Sequence, residues 1–341
     1  MFTTPVIRAL RRRYPDASLT YLVEATAAPV VAKNAHLNAV IAIPHTRGLP
    51  RIADDWRLAR QLAASRFDLV IDLHGGPRSA WLAWATRAPV RVGYDVPGRA
   101  WMYTRVVHRP RVLLPRHSVL SQWDLLSATD SSFPPTPDRS ADRVEMPVDP
   151  AAVDAVAGQL ARANIPTSAR VIVIHVSAGN PFRRWPESAF AELAGGLVAC
   201  HDDRWVLLTG GPSDREAAAR VLVDARRRAG AAAGRLLDVE GWSLAELRAA
   251  CDRAALFVGG DSGPLHVAAT SDVPIVGLYG PTLPARSAPW RPSHLRTAAV
   301  DVGALPCRPC DQRVCAPGDF RCLTGVTAAS VRAAAEMLLE P

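Results

Sequence analysis

Short apolar strands alternate with helices along most of the 341-residue chain, and this alternation constrains the fold more than any other feature. The clearest strand of the first half spans residues 68–73, and a second series begins with a strand over residues 171–175. Strands that alternate with helices of about 10–15 residues are typical of a parallel sheet covered by helices on both faces. The sequence therefore predicts an α/β fold.

The chain is longer than one ordinary core requires and fits two domains of this kind. The boundary is expected near residues 150–168, where a proline-rich and polar stretch gives way to a new helix and strand. We therefore predict an N-terminal domain over residues 1–155, a C-terminal domain over residues 156–326, and a last helix over residues 327–341.

The charge balance predicts anionic partners. The formal net charge is +8, and Lys33 is the only lysine, so nearly all of the positive charge is carried by arginine. The planar guanidinium suits phosphate and carboxylate groups, which leaves nucleotide sugars, anionic lipids and nucleic acids open. No apolar run approaches the roughly 20 residues that cross a bilayer, and the N-terminus lacks a signal-peptide pattern, so we expect a cytoplasmic protein.

One segment concentrates residues that suit a ligand site. An apolar strand near residues 254–258 leads through two glycines into Asp261-Ser262-Gly263-Pro264, and His266 follows in the first helical turn. Ser262 is a suitable helix N-cap, Pro264 suits the first turn, and the free backbone N–H groups there can bind an anion. Asp261 and His266 can contact sugar hydroxyls. The alternative is a plain strand–helix corner with a satisfied histidine.

Two further strand ends resemble this one. After the strand at 171–175, Ser177 and the backbone of Gly179 can bind phosphate, and Arg183 or Arg184 can neutralise it. The alternative for this segment is a surface loop with solvated arginines.

The third strand end carries Gly210 and Gly211. Three such loops in one domain indicate a nucleotide pocket at the carboxyl edge of a sheet. The loops lack both the Walker pattern and the dinucleotide glycine pattern, which argues against an ATPase and an NAD enzyme.

These motifs, in this order, resemble glycosyltransferase family 9, the ADP-heptose:lipopolysaccharide heptosyltransferases. The resemblance is carried by residues 177–186, 209–211, 241–247, 259–266 and 280–282. It implies a GT-B architecture of two facing Rossmann-like domains, with the acceptor bound by the first and ADP-heptose by the second. The last helix would pack back toward the N-terminal domain. It also implies an inverting transfer to a lipopolysaccharide core or related glycan without a catalytic metal or other cofactor. The basic charge would then favour peripheral contact with anionic lipid at the inner face of the cytoplasmic membrane.

The resemblance assigns roles to individual residues. Arg183 stands where the family has a lysine that contacts the donor diphosphate, and Ser262 replaces a threonine of the family's Asp-Thr-Gly motif. Trp242 falls where the family packs a side chain near the adenine, and an ordinary core tryptophan is the alternative. Arg78 would bind an anionic acceptor, with a solvated helix-start arginine as the alternative.

Two tryptophans follow Arg78 on the same predicted helix. Trp81 and Trp84 are spaced three residues apart. We interpret them as core or interdomain packing rather than as a membrane anchor.

The front of the chain departs from the family pattern. Family members open with a strand and a Gly-Asp loop that bears the expected catalytic base, whereas here a helix at residues 4–13 comes first. Either the first strand is supplied differently or the sequence lacks its true beginning. Asp72 and His74 are candidate substitutes for the base, and a structural strand end is the alternative role. The matching alternative function is a nucleotide-sugar-binding protein with reduced or no transferase activity.

Four cysteines cluster near the C-terminus. Cys307, Cys310, Cys315 and Cys322 could hold a structural Zn²⁺ through four thiolates, or they could be free thiols in a packed loop. A basic, zinc-containing nucleic-acid-binding protein would use the same features, but it leaves Asp261 and His266 unexplained. We therefore expect no nucleic-acid partner.

Overall fold

A computed structural model of the protein describes residues 1–44, 48–108, 115–176, 180–239 and 241–340. The chain forms two compact units that meet in the sequence between Asp142 and Arg143. This boundary lies before the predicted region at residues 150–168, because the helix over Pro150–Arg162 packs on helix Leu244–Arg253 and so belongs to the second unit.

The first unit contains parallel strands and four α-helices among its described residues. Its helices are α1 (Thr4–Arg13), α2 (Leu49–Ala64), α3 (Pro77–Ala85) and α4 (Ser118–Ser127). Its strands are β1 (Thr20–Glu24), β2 (Ala39–Ile43), β3 (Leu69–Ile71), β4 (Val90–Tyr94) and β5 (Arg105–Val107). Strands β1 and β2 form one sheet and β3, β4 and β5 form another, and within the described residues no strand joins the two.

Helix α1 begins and ends where its sequence predicts. Pro5 stands in its first turn, where a missing N–H costs nothing, and three arginines in its last turn complement the helix dipole. Its apolar face buries Val6 and Ala9 against Trp123 and Leu126 of α4. This packing, rather than helix propensity alone, holds α1 in place.

The second unit is a doubly wound sheet. Its six strands are all parallel, and they are β6 (Arg170–His175), β7 (Arg204–Thr209), β8 (Leu236–Asp238), β9 (Leu256–Gly260), β10 (Ile275–Leu278) and β11 (Thr297–Val300). Its helices are α5 (Pro150–Arg162), α6 (Glu187–Ala199), α7 (Arg215–Ala229), α8 (Leu244–Arg253), α9 (Gly263–Ala268), α10 (Pro284–Ser287), α11 (Arg321–Thr324) and α12 (Ala328–Leu339).

The strand order of this sheet is β11-β10-β9-β6-β7-β8. Strands β7 and β8 therefore add to one side of β6, and β9, β10 and β11 then add to its other side. Ligands of such sheets bind outside the carboxyl ends of the strands at the point where the order reverses. In this unit that point lies between β6 and β9, where His175 is level with Gly259.

The last helix packs within the second unit. α12 contacts α6 and the strands β9, β10 and β11. Its packing back toward the first domain stays a prediction. Val331 and Ala335 are fully buried in the core of the second unit. The apolar face of α12 accounts for this, because it completes the cover of one face of the sheet.

None of the described helices combines the length and the apolar character that crossing a membrane requires.

Candidate functional site

Asp261 is the centre of a polar cluster at the switch point of the second sheet. It follows β9 directly and is 3% exposed. Its Oδ2 accepts hydrogen bonds from the Thr282 hydroxyl at 2.5 Å and from Arg183 Nη1 at 3.2 Å. Its Oδ1 lies 3.5 Å from Nε2 of His266. The structure therefore brings together three of the predicted site residues, Arg183, Asp261 and His266, and adds Thr282.

The surroundings of Asp261 favour its charged form. Burial acts to raise the pKa of this carboxyl, but the hydrogen bonds from His266 and Thr282 and the charge of Arg183 outweigh burial. The pKa of Asp261 therefore lies below its ordinary value, and the group is a carboxylate at neutral pH. The cluster is a buried anion with a cation beside it.

Arg183 is fixed from two sides. Its Nη1 donates to the main-chain oxygen of Asp261 at 3.0 Å, and its Nε donates to Oε1 of Gln312 at 2.7 Å. The same Gln312 oxygen accepts from Asn180 Nδ2 at 2.8 Å. Because the Arg183 side chain is still 30% exposed, a ligand can reach it. Its geometry suits an anion such as a diphosphate.

Ser262 lies at the predicted N-cap position of α9, but its side chain does not cap the helix. The residue occupies the N-cap position in an extended conformation, and its hydroxyl makes no capping bond. Among the described residues that buried hydroxyl has no hydrogen-bond partner. A Cβ added at Gly263 would meet nothing within 4 Å, and Pro264 occupies the first turn as predicted. The Ser262 hydroxyl therefore has hydrogen-bonding capacity that no described residue uses.

Two further buried polar groups lie on the strands around Asp261. Tyr279 follows β10 and is fully buried, and burial together with the charge of Asp261 raises the pKa of its phenol. His175 ends β6, and burial lowers its pKa to about 4, only partly opposed by Asp214. Neither the Tyr279 hydroxyl nor His175 Nδ1 has a partner among the described residues. Both side chains are therefore neutral at pH 7.

The glycine turn after β7 lies beside Asp214. A Cβ at Gly210 would be 3.4 Å from the Asp214 side chain, and one at Gly211 would be 3.0 Å from Asp214 Oδ2. Arg184 Nη2 is 3.3 Å from Asp214 Oδ1. Arg183 and Arg184 therefore contact different carboxylates.

Three other residues were predicted to bind the donor, namely Ser177, Gly179 and Trp242. Ser177 and Gly179 lie outside the described residues. Trp242 is half-buried, and its indole N–H donates to Oε1 of Gln159 on α5 at 2.7 Å. This bond ties Trp242 to a neighbouring helix, and its proposed place near an adenine stays a prediction.

The first-unit candidate Asp72 is buried and hydrogen-bonded on all sides of its carboxylate. The carboxylate is 5% exposed and accepts from the backbone N–H groups of His74 and Gly75 at 3.0 and 2.9 Å. It also accepts from the hydroxyls of Ser79 at 2.9 Å and Tyr103 at 2.6 Å. Four hydrogen bonds occupy the acceptor sites of a carboxylate, so Asp72 is poorly suited to take a proton from an acceptor.

His74 and Arg78 follow Asp72 in the sequence, and within the described residues they differ in whether an acidic side chain binds them. His74 is exposed at the end of the β3 segment and stays a candidate base. Arg78 Nε donates to Asp55 Oδ1 at 2.9 Å, and its Nη2 bonds the same oxygen. An arginine held by a carboxylate offers less charge to an anionic acceptor, so the predicted role of Arg78 requires exchange of that partner.

The cysteine segment does not form a metal-binding arrangement in the described residues. Cys307, Cys310 and Cys315 are half-buried and Cys322 is buried, all as free thiols. No group of three or more potential ligands in the described ranges is placed to hold a metal ion. A structural zinc therefore stays a prediction. The segment does contribute Gln312 to the site, which sequence reasoning missed.

The comparisons with known proteins agree on one family. A family model described as glycosyltransferase family 9 (heptosyltransferase) matches residues 55–318. Lipopolysaccharide heptosyltransferase 3 of Escherichia coli is 29% identical, over 99% of this chain and 95% of its own. Lipopolysaccharide heptosyltransferase 2 of Salmonella typhimurium is 26% identical, over 83% of this chain and 80% of its own.

Solved structures show the same fold. The family 9 glycosyl transferase from Veillonella parvula gives a TM-score of 0.80 at 22% identity, covering 99% of this chain and 92% of that one. The structure of E. coli ADP-heptose lipopolysaccharide heptosyltransferase II gives 0.75 at 22% identity, covering 99% and 94%.

The fold and the cluster at the switch point define a glycosyltransferase of the GT-B class, which confirms the predicted fold class. The chain belongs to glycosyltransferase family 9, the heptosyltransferases.

Proposed function

We propose that the protein transfers a heptose from ADP-heptose to a lipopolysaccharide core or a related glycan acceptor. The observation that carries the proposal is the buried Asp261 carboxylate with Arg183, Thr282 and His266 around it, at the switch point of the sheet. It stands in a chain whose relatives are named lipopolysaccharide heptosyltransferases. We infer that the reaction inverts the anomeric carbon and needs no cofactor.

Each group in the cluster has a task in such a transfer. The leaving diphosphate gains negative charge in the transition state, and Arg183, already oriented by Asp261 and Gln312, is placed to stabilise it. A carboxylate has about four acceptor sites, so its three described contacts leave Asp261 one site for a sugar hydroxyl. The buried hydroxyl of Ser262 supplies a further donor.

The proposal includes the place of action. An acceptor that is a glycolipid lies in a membrane, and an enzyme that uses a nucleotide sugar meets it at the cytoplasmic face. The net charge of +8 favours approach to anionic lipid. We therefore propose a cytoplasmic protein in peripheral contact with the inner face of the cytoplasmic membrane.

The test combines binding with turnover. Calorimetric titration with ADP-heptose, ADP, UDP and GDP should show binding of the adenine nucleotides, weakened about tenfold or more in Asp261→Ala because a buried charge pair is broken. Asp202→Ala, at a fully exposed aspartate, is the matched control and should bind as the wild type does. Release of ADP with a lipopolysaccharide core acceptor measures transfer.

Three results are distinguishable. Binding with turnover supports the proposal. Binding of ADP-heptose without turnover on any core acceptor indicates a nucleotide-sugar-binding protein instead. Binding of UDP or GDP in preference to ADP would contradict ADP-heptose as the donor.

A further inference from the structure

Four tryptophans of the first unit form two ring pairs, which helix α3 places next to each other. The rings of Trp56 and Trp81 lie 5.6 Å apart and those of Trp84 and Trp101 lie 5.9 Å apart, both edge to face. Trp81 and Trp84 are three residues apart on α3 and so lie on one side of that helix. We call these four residues the tryptophan row.

Most of the row is exposed to solvent. Trp56 is 56% exposed, Trp84 45% and Trp101 63%, and Ile52, one turn before Trp56 on α2, is 54% exposed. Single exposed apolar side chains are ordinary, whereas contiguous apolar patches mark interaction surfaces. The exposure of Trp84 contradicts core packing, which is one of the two roles that the sequence predicted for it.

Two members of the row, Trp81 and Trp101, make contacts with the rest of the first unit. Trp81 is half-buried and packs on the small core that contains Leu62 of α2 and Leu82 of α3. The Trp101 indole N–H donates to the carbonyl oxygen of Gly98 at 3.1 Å. The exposed rings are thus fixed by the fold before any partner binds.

Arginines accompany the row along both helices. Arg60 lies one turn after Trp56 on α2, and Arg87 lies three residues after Trp84, where its backbone N–H donates to the Trp84 carbonyl. Both arginine side chains are exposed. Within the residues that the structure describes, neither of them pairs with an acidic side chain.

The nearby acids are neutralised by other arginines. Asp54 and Asp55 are the only acidic residues of α2 and α3. Asp54 pairs with Arg57 at 2.7 Å, and Asp55 pairs with Arg51 at 3.7 Å and with Arg78. The surface around the row therefore has a positive excess and a line of indole rings.

We propose that the tryptophan row docks the first unit on an anionic lipid bilayer. Tryptophan prefers the membrane–water interface, where its ring meets acyl chains and its N–H meets water or headgroups. Exposed arginines beside it bind lipid phosphates. The inference rests on the proposed function in one respect, since a glycolipid acceptor gives the docking its purpose.

Two other occupants fit the row less well. A sugar acceptor binds at the carboxyl edge of a parallel sheet, whereas α3 begins at that edge and Trp84 lies in its last turn, away from it. A second copy of this chain across a two-fold axis would set like charges of Arg60 and Arg87 near their own copies.

The experiment is flotation of the 341-residue protein with vesicles at low salt. One vesicle contains phosphatidylcholine with phosphatidylglycerol, and the other contains phosphatidylcholine alone. We expect binding to the anionic vesicle, reduced about tenfold or more in the double variant Trp84→Ser/Trp101→Ser. The double variant Arg60→Gln/Arg87→Gln should lose about fivefold for each arginine on the anionic vesicle.

Matched controls separate the row from general surface effects. Val106→Ser and Val223→Ser remove exposed apolar side chains, at 48% and 71% exposure, outside the row, and Arg162→Gln removes an exposed helix arginine from the second unit. These variants should bind vesicles as the wild type does. Circular dichroism and thermal melting verify that every variant is folded.

Several outcomes would overturn the inference. They are absence of wild-type binding to anionic vesicles, equal losses in the control variants, or a dimer seen by sedimentation velocity that the tryptophan substitutions abolish. Titration with ADP-heptose keeps the two proposals apart. Vesicle binding without ADP-heptose binding counts against the proposed sugar transfer alone. ADP-heptose binding without vesicle binding counts against the row and the proposed membrane contact, but not against the transfer.

Discussion

Tyr279 carries a phenol hydroxyl into the interior of the second unit with no hydrogen-bond partner among the described residues. A buried polar group without a partner costs stability unless a ligand satisfies it. We therefore expect Tyr279→Phe to leave the free energy of unfolding unchanged or slightly raised, while ADP-heptose binds about five- to tenfold more weakly. Urea denaturation and calorimetric titration measure the two effects. Equal loss of stability and binding would assign Tyr279 to packing alone.

His175 predicts a pH dependence of folding. Unfolded histidine takes up a proton as the pH falls through about 6.5, whereas burial lowers the pKa of folded His175 to about 4. Between these values the unfolded state binds more protons, so this residue makes the protein less stable as the pH falls. From pH 7 to pH 5 the loss is about 2 kcal/mol, and it reaches about 3 kcal/mol near pH 4.

Urea denaturation at pH 7 and pH 5 tests this contribution. The variant His175→Gln should lose about 2 kcal/mol less than the wild type between the two values. His201→Gln, at an exposed histidine of the same unit, is the matched control and should keep the wild-type dependence. An unaltered dependence in His175→Gln would show that other groups cause it.

At the scale of elements, one ion pair fastens the last helix to the sheet. Arg204 of β7 is 3% exposed in its side chain and donates through Nη1 and Nη2 to the two carboxylate oxygens of Glu336 on α12, at 2.7 and 2.6 Å. The hydrogen bond from Arg204 lowers the pKa of Glu336 despite burial. The pair is therefore charged at neutral pH and weakens only when the pH falls below the ordinary value of a glutamate.

We expect Glu336→Gln to destabilise the protein by about 3 kcal/mol, because it leaves a buried guanidinium without its counter-charge. Glu187→Gln is the matched control. Glu187 makes the same two-bond contact with Arg220, but the arginine side chain is 60% exposed. There the cost should stay within about 1 kcal/mol. Urea denaturation at pH 7 compares them, and equal costs would contradict the role of burial.

The strands also show how much of the fold can be predicted from the sequence. The predicted strand at residues 171–175 matches β6, because a strand buried on both faces is a continuous apolar run. Strands β4 and β5 were not predicted. Strand β4 contains an arginine and a glycine. Strand β5 has only three residues, and two of them are exposed. Such short patterns carry too little periodicity to distinguish a strand from a loop.

The site was predicted from residues near one another in sequence. Asp261 and His266 share one strand–helix corner, and Arg183 follows the neighbouring strand. Thr282 and Gln312 reach them across sequence separations of 21 and 129 residues, so only the folded chain reveals these partners. Thr282 lies in the segment 280–282, which carries the family resemblance but did not indicate a contact with Asp261, and Gln312 lies in none of the segments that carry it.

At the scale of the whole molecule, the division into two units predicts where a ligand acts. The proposed donor site lies wholly within the second unit, whose core is separate from the packing clusters of the first. A ligand that binds only the folded form stabilises what it binds, by about 2.7 kcal/mol at a concentration of 100 times Kd. Hydrogen exchange with and without ADP-heptose measures this for each unit. We expect added protection in β6 and β9, none in β3 and β4, and none anywhere in Asp261→Ala. Equal protection in both units would mean that they unfold together. The free energy of unfolding would then be a property of the whole chain and not of each unit.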